Sequence, residues 1–297
     1  MKRIQFFLFI SFVYLSFSGC ASKMTLNSES TQKSIQDTKL VDTAKYKCTY
    51  HFKFLIDSIK MTFRDKDLYV VQIGENFTKS YCYQTFYIDS IDSTPGGVNG
   101  RLRAFEYYIQ NTPKETPGYF EGMRTIMNRG FFQFYVYKDY QNEKITVTDN
   151  ISGYFFIYDD ELKPQDWTLL EDTTTMLDYS CQKAKCNFRG RDWEAWFAPD
   201  IPIDEGPWKF YGLPGLIMKL EDTESHYSFE MVGLQQVDES IHMTVNKYAR
   251  PINRLSFLRL KMNQAGTDLV AMDLARLGIS SAGSQELHYD YIERDYK

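Results

Sequence analysis

Histidine is scarce in this sequence, with four residues in 297. None of His51, His226, His242 and His288 falls in a metal-ligating or nucleophile-activating spacing. His242-Met243 offers one soft contact pair, which standing alone reads as plain surface. No HExxH, GxSxG, Walker A or dinucleotide-binding glycine pattern is present, so zincin, α/β-hydrolase, P-loop and Rossmann chemistries have no motif to rest on. Without a CxxC or paired-histidine spacing, no metal and no cofactor are expected. No basic run accompanies the formal net charge of -5, which leaves a phosphate-dominated nucleic-acid partner without support. No internal repeat occurs at solenoid or propeller periods. What is abundant is aromatic: 22 Tyr and 22 Phe tilt the chain toward β structure, where such side chains pack on pleated surfaces. The length suffices for a sizeable core.

The N-terminus carries the most specific signal. Lys2 and Arg3 form a basic start, Ile4–Phe17 is apolar and aromatic apart from Gln5 and a few serines, and Ser18-Gly19-Cys20 follows. The run is too short for a membrane span and ends at small residues, as a secretory signal peptide does, over residues 1–19. The small pair before Cys20 resembles a bacterial lipobox, which implies diacylation of the Cys20 thiol and a stable membrane anchor, each buried methylene adding roughly 0.8 kcal/mol. Residues 20–43, rich in Ser, Thr, Lys and Gln, read as a flexible tether. Residues 44–297 read as one β-rich domain.

Within it, alternation and β-branched or aromatic content predict strands at Thr49–Ile56, Asp67–Ile73, Tyr81–Ile88, Phe131–Tyr137, Lys144–Thr148, Tyr154–Tyr158, Thr168–Leu170, Tyr179–Ala184, Ile217–Leu220 and Tyr227–Leu234. Pro95-Gly96-Gly97 centres a turn cluster, and Arg101–Gln110 fits either helix or strand. Helices are predicted at Tyr119–Asn128, Pro251–Met262 and Asp268–Leu277, with Ser280–Gly283 and Tyr289–Lys297 at the surface or frayed.

The densest stretch is Leu177–Asp222, which holds two cysteines, three of the four tryptophans, four of the nine prolines and the hexapeptide Gly212-Leu213-Pro214-Gly215-Leu216-Ile217. Cys181, Ala184, Phe188-Arg189-Gly190-Arg191, Trp193, Ala195-Trp196-Phe197, Ile201-Pro202-Ile203 and Gly206-Pro207-Trp208, with the hexapeptide, resemble the hallmark block of the GLPGLI family of exported proteins of Bacteroidetes-type bacteria. A related bowl-like β domain is appended to certain secreted peptide N-glycanases. No catalytic domain is expected to follow here, so the resemblance carries over no glycanase activity.

Four cysteines remain after Cys20, an even number that in an exported chain suggests disulfides, Cys181 with Cys186 and Cys48 with Cys82. Asp200, Asp204 and Glu205 cluster near Trp208, and Glu194 lies between Trp193 and Trp196. Carboxylates among aromatics are the ingredients of a carbohydrate site and equally of any half-exposed β surface. Arg189 and Arg191 bracket Gly190 at strand spacing. They suit a carboxylate clamp, or they stack on Trp193 or Trp208 and pair with Asp192 or Asp204. Arg189, Arg191, Trp193, Trp196, Asp204 and Trp208 are thus the candidate ligand-binding set. Gly212–Gly215 reads as a turn releasing a core strand, with an anion nest as the other reading.

The expected fold is mainly β, a strongly curved antiparallel sheet or half-barrel with a few short helices. The expected function is that of a cell-envelope lipoprotein, held through Cys20 at the outer membrane and facing the periplasm. Its domain would bind or scaffold a partner without catalysis, with an outer-membrane uptake protein as the partner and no small ligand specified. The other expectation is a secreted hydrolase of carbohydrate or peptide using Glu194, Asp200, Asp204 or Glu205.

Overall fold

Cys48, Tyr50, Phe52 and Phe54 are inaccessible to solvent, while His51 and Lys53 between them are exposed. That period of two makes a strand with one core face. In the computed structural model it lies within β1, Gln36–Asp57. The structure describes residues 36–117, 132–151, 153–264 and 290–296, with positions 119, 122 and 126 between. The leader, Cys20, the tether up to residue 35, the Asp268–Leu277 helix, Ser280–Gly283 and most of Tyr119–Asn128 lie outside the described residues.

After β1 come β2 (Thr62–Ile73), β3 (Phe77–Cys82), α1 (Tyr83–Asp92), α2 (Gly97–Asn111), β4 (Tyr135–Asp139), β5 (Lys144–Ile151) and β6 (Tyr154–Glu161). Then follow β7 (Thr168–Met176), β8 (Tyr179–Phe188), β9 (Arg191–Ala198), β10 (Leu216–Asp222), β11 (Tyr227–Asn246), β12 (Arg250–Pro251) and α3 (Arg254–Gln264). All strands join one sheet in the order β12-β6-β5-β4-β3-β2-β1-β11-β10-β9-β8-β7. Pairing is antiparallel except at the short β12–β6 contact. β1 and β11 form the spine, paired from Gln36↔Asn246 to Phe54↔Tyr227 with three register shifts between. Across it Phe52 stacks on Phe229 with ring centroids 4.3 Å apart, the cross-strand aromatic contact that stabilises such pairs.

The sheet bends strongly. β6 and β9 are eight strand spacings apart in the order, about 38 Å if the sheet were flat. Yet Arg189, in the β8–β9 turn, reaches Asp160 of β6 with 2.7 Å contacts to both carboxylate oxygens. The outcome is a large, open, curved sheet that does not close into a barrel. Its concave side holds the core of Phe52, Phe54, Phe132, Phe134, Trp193, Trp208, Phe210 and Phe229.

Several expectations are corrected. Tyr81–Ile88 is not a strand: β3 ends at Cys82 and α1 begins, burying Thr85 and Ile88 at helical spacing, with Thr85 Oγ1 donating to Phe132 O at 2.8 Å. The aromatic content that suggested a strand is largely exposed on that helix. Residues 36–43, read as tether, are the first part of β1; β11 supplies their backbone partners even though none of them is buried. Phe132 and Phe134 precede β4 in irregular chain and fill the core. Arg101–Gln110 resolves as helix within α2. The Pro251–Met262 helix starts at Arg254, where Asn253 Oδ1 accepts the Leu255 N–H at 3.0 Å as a cap.

No disulfide forms. Cys48, Cys82, Cys181 and Cys186 are free and buried. Cys181 and Cys186 lie on one continuous strand, β8, about 16 Å apart at strand rise, whereas a bridge needs Cα atoms within about 7 Å. Cys48 and Cys82 stand on β1 and β3 with β2 between them. Burial pushes the Cys48 and Cys186 thiols up to about 12, which removes them as nucleophiles. Finally, the C-terminal segment expected to fray is buried at Tyr291, Ile292, Glu293 and Tyr296.

Candidate functional site

The chain between β9 and β10 crosses the concave face and is locked there. Gly215 has φ 155°, and a Cβ on it would stand 2.2 Å from Ala198 O, so only glycine fits. Gly212 N–H donates to Asp204 O at 2.7 Å, and Ile217 N–H to Glu205 O at 3.0 Å. Tyr50 donates its hydroxyl to Ile217 O at 2.8 Å, tying the hexapeptide to the spine. Its role is thus the turn that delivers Leu216, Ile217 and Met218, all buried, into the core.

Glu205 is the buried carboxylate of this block. It accepts from Lys138 Nζ at 2.6 Å and Thr78 Oγ1 at 2.7 Å, and also from the Tyr140 hydroxyl. Lys138 donates further to Phe210 O at 2.7 Å. The other carboxylates weighed for hydrolysis do not join it. Glu194 pairs with Lys183 at 2.9 Å, and Asp200 and Asp204 are exposed on the loop. The tryptophans divide similarly. Trp193 and Trp208 are core, packed with Phe188 and Phe210. Trp196 is half-buried, with Lys183 Nζ 5.7 Å from its ring centroid.

Arg189 and Arg191 pair within the chain, with Asp160, Asp222 and the carboxylates of residues 290–296. Arg191 is buried. It pairs with Asp222 at 2.8 Å and Asp290 at 2.6 Å, and its Nη2 donates to Tyr291 O at 2.6 Å. Its guanidinium lies 4.8 Å from the Tyr227 ring centroid. Neither Asp192 nor Asp204 is its partner, and neither Trp193 nor Trp208 is its stacking surface. Arg189 meets Asp160 and, at 3.2 Å, Asp295. Lys209, wholly buried, donates to Asp160 at 2.9 Å and Glu293 at 2.6 Å. Arg254 pairs with Glu293 and, at 2.7 Å, with Asp295. Residues 290–296 thus meet four scaffold cations through three carboxylates.

The electrostatics follow from this crowding. Burial works to raise the Asp160 and Asp295 carboxyls, but Lys209, Arg189 and Arg254 around the first, and Arg254 and Arg189 around the second, hold both below the usual range. Asp290 is held lower still by Arg294, Arg191 and His226, against its burial. Asp222 goes the other way: burial raises it, despite the Tyr227 N–H and Arg191.

Asp222, Glu224 and His226 could between them offer three ligand atoms to a metal. Arg191 already holds Asp222, Arg294 holds Glu224, and His226 Nδ1 lies 2.7 Å from Asp290, so the donors are engaged. Beside the network a cavity of about 30 Å³ is lined by Phe132, Tyr158, Phe257, Tyr291 and Glu293. That admits a water molecule and no sugar ring.

Sequence reasoning singled out Arg189 and Arg191 but missed Asp160, Lys209, Arg254 and the whole 290–296 segment. One trace was legible: Tyr291, Ile292 and Tyr296 are large apolar or aromatic groups in a stretch otherwise read as solvated charge.

Residues 189–219 match a family described as "Protein of unknown function (Porph_ging)". No curated protein sequence matches the chain. Two crystal forms of PNGF-II are similar in structure, with TM-scores of 0.46 and 0.45 at 12% and 11% identity, each over 76% of this chain. The chain spans about a third of PNGF-II, 34% in both comparisons.

Proposed function

We propose that this protein is a cell-envelope lipoprotein, anchored through Cys20 at the outer membrane and facing the periplasm. In this reading its curved β domain binds or scaffolds an envelope partner, one associated with an uptake system, and performs no chemistry of its own. The observation that carries the binding role is the occupation of the concave face. Arg189, Arg191, Lys209 and Arg254 are arranged to hold an irregular stretch of polypeptide, residues 290–296, by its carboxylates and carbonyls. The hydrolase reading has no support from Glu194, Asp200, Asp204 and Glu205, which do not converge as an acid–base pair must. The anchor rests on the Lys2–Cys20 pattern and the partner on the GLPGLI resemblance.

The test is a lipid-preserving pull-down from envelope fractions, wild type beside Cys20→Ala, read by mass spectrometry. A specific envelope protein recovered with the wild type alone supports an anchored, partner-binding role. Repeated recovery of nothing specific from either form removes the partner-binding reading.

A further inference from the structure

The first residue of β1 stands beside two turns at one end of the spine. Gln36 pairs with Asn246, the last residue of β11. β12 follows, with Arg250 paired to Phe156 of β6. A cavity of about 40 Å³ is lined jointly by Gln36, Asn246, Ala249, Asn150 and Phe155. The start of β1, the β11–β12 turn and the β5–β6 turn are therefore neighbours.

This end carries aromatic rings and cations in pairs. Tyr248 is 68% exposed and Tyr154 59%. Lys247 Nζ lies 5.5 Å from the Tyr248 ring centroid, and the Arg250 guanidinium carbon 5.7 Å from that of Tyr154. Lys247 and Arg250 are themselves exposed. On the adjoining stretch of β1 the exposed Asp37 and Lys39 offset one another. Asp149, also at the cavity, is buried and held by Lys261, and Asp89 accepts the Tyr135 hydroxyl at 2.7 Å. The exposed rim is thus net basic, in a chain of formal net charge -5. Amphipathic rings of this kind settle at the headgroup level of a bilayer, and long cationic side chains beside them reach its anionic groups.

The chain upstream decides the occupant. The stretch from Cys20 to Gln36 spans at most about 55 Å when fully extended. An acylated Cys20 draws this end of β1 toward the bilayer ahead of the β1–β2 turn at its other end, where Met61 is also exposed. We propose that Tyr154, Lys247, Tyr248 and Arg250 form a membrane-docking rim, which seats this end of the domain on the anionic leaflet that holds its own anchor. This rests on the Cys20 anchor proposed above and adds to it a surface and an orientation.

The test couples the mature chain, residues 20–297, through Cys20 to a maleimide lipid in vesicles of phosphatidylethanolamine and phosphatidylglycerol. The four domain thiols are buried and do not compete. Hydroxyl-radical oxidation, read by mass spectrometry, compares vesicle-bound with free protein. Oxidation of Tyr154 and Tyr248 is expected to fall on the vesicles while that of Met61 does not. Lys247→Gln and Arg250→Gln should each weaken docking about fivefold, the loss expected per cation at an anionic surface. Salt at about 0.5 M should screen it. Tyr248→Ser, which keeps both cations, should weaken docking as well. Equal protection of Met61, or none at the two tyrosines, would overturn the rim, and so would equal docking on neutral phosphatidylcholine. Protection in native envelopes but not on protein-free vesicles would overturn it too, and assign these residues to a protein partner. Because the lipid is attached chemically, docking is read whether or not the cell acylates Cys20. The mass of the native protein reports acylation separately, so failure of the rim and failure of the anchor are distinguishable.

Discussion

Lys138 of β4 and Glu205, at the approach to the Gly212–Ile217 turn, form a 2.6 Å ion pair sealed from solvent. Thr78 and Tyr140 complete the carboxylate's shell, and Phe210 O accepts a second N–H of the lysine. The pair pins the crossing block to the far strands of the bowl. A buried pair deprived of one partner leaves an uncompensated charge, at a cost of about 3–5 kcal/mol, whereas replacing both partners by apolar groups is far milder. Glu205→Ala and Lys138→Ala are each expected to destabilise by that amount in urea unfolding, and the double Met variant by much less. Equal loss in single and double variants would show that the pair is not the unit.

Gly215→Ala places a Cβ against Ala198 O in a backbone conformation that side chains avoid. The expected outcome is a loss of at least about 1–3 kcal/mol in urea unfolding. Gly190→Ala meets Arg294 instead. It is expected to loosen residues 290–296 selectively, seen as faster hydrogen exchange there with little change in the β1–β11 amides.

Acid should release the C-terminal segment before it unfolds the sheet. The Asp160, Asp290 and Asp295 carboxyls lie below their unfolded value in the folded state. Their stabilisation is therefore full above about pH 4–5 and is lost as the pH falls through the lowered values. Asp222, raised by burial, contributes in the opposite sense. Exchange of the 290–296 amides measured from pH 6 down to pH 2, corrected for intrinsic rates, should show protection falling below about pH 4. Unchanged protection would mean that the carboxylates are not what holds the segment.

All four domain cysteines should resist a thiol reagent in the native state and react fully in denaturant without reductant. The thiols are buried, and those of Cys48 and Cys186 are raised to about 12. Fewer than four reactive thiols after denaturation, with Cys20 excluded, would restore a disulfide.

The sheet was readable because its signals are local. Tyr50, Phe52 and Phe54, or Tyr227, Phe229 and Met231, mark a core face within one strand, and the Pro and Gly positions mark the turn at Gly212–Gly215. The site was half readable. Arg189 and Arg191 stand out at their spacing, but their partners Asp290 and Asp295 lie about 100 positions away. A segment half composed of charged residues reads as solvated until its counter-charges are located. Aromatic composition misled at α1, where Tyr83, Phe86 and Tyr87 face outward. The even cysteine count misled because parity says nothing of the strand geometry that separates Cys181 from Cys186.

The β1–β11 spine also sets an order of assembly. Gln36 pairs with Asn246, so the centre of the sheet joins its first strand to one late in the chain. A growing chain can form the β2-to-β6 meander early, with β1 attached along one side only. The other edge of β1 stays unpaired until β11 emerges, late in the chain. Such non-local pairing folds slowly, and a long unpaired edge is exposed throughout the wait. The nascent domain is thus a natural client for a holdase, and truncations that remove β11 should aggregate through β1.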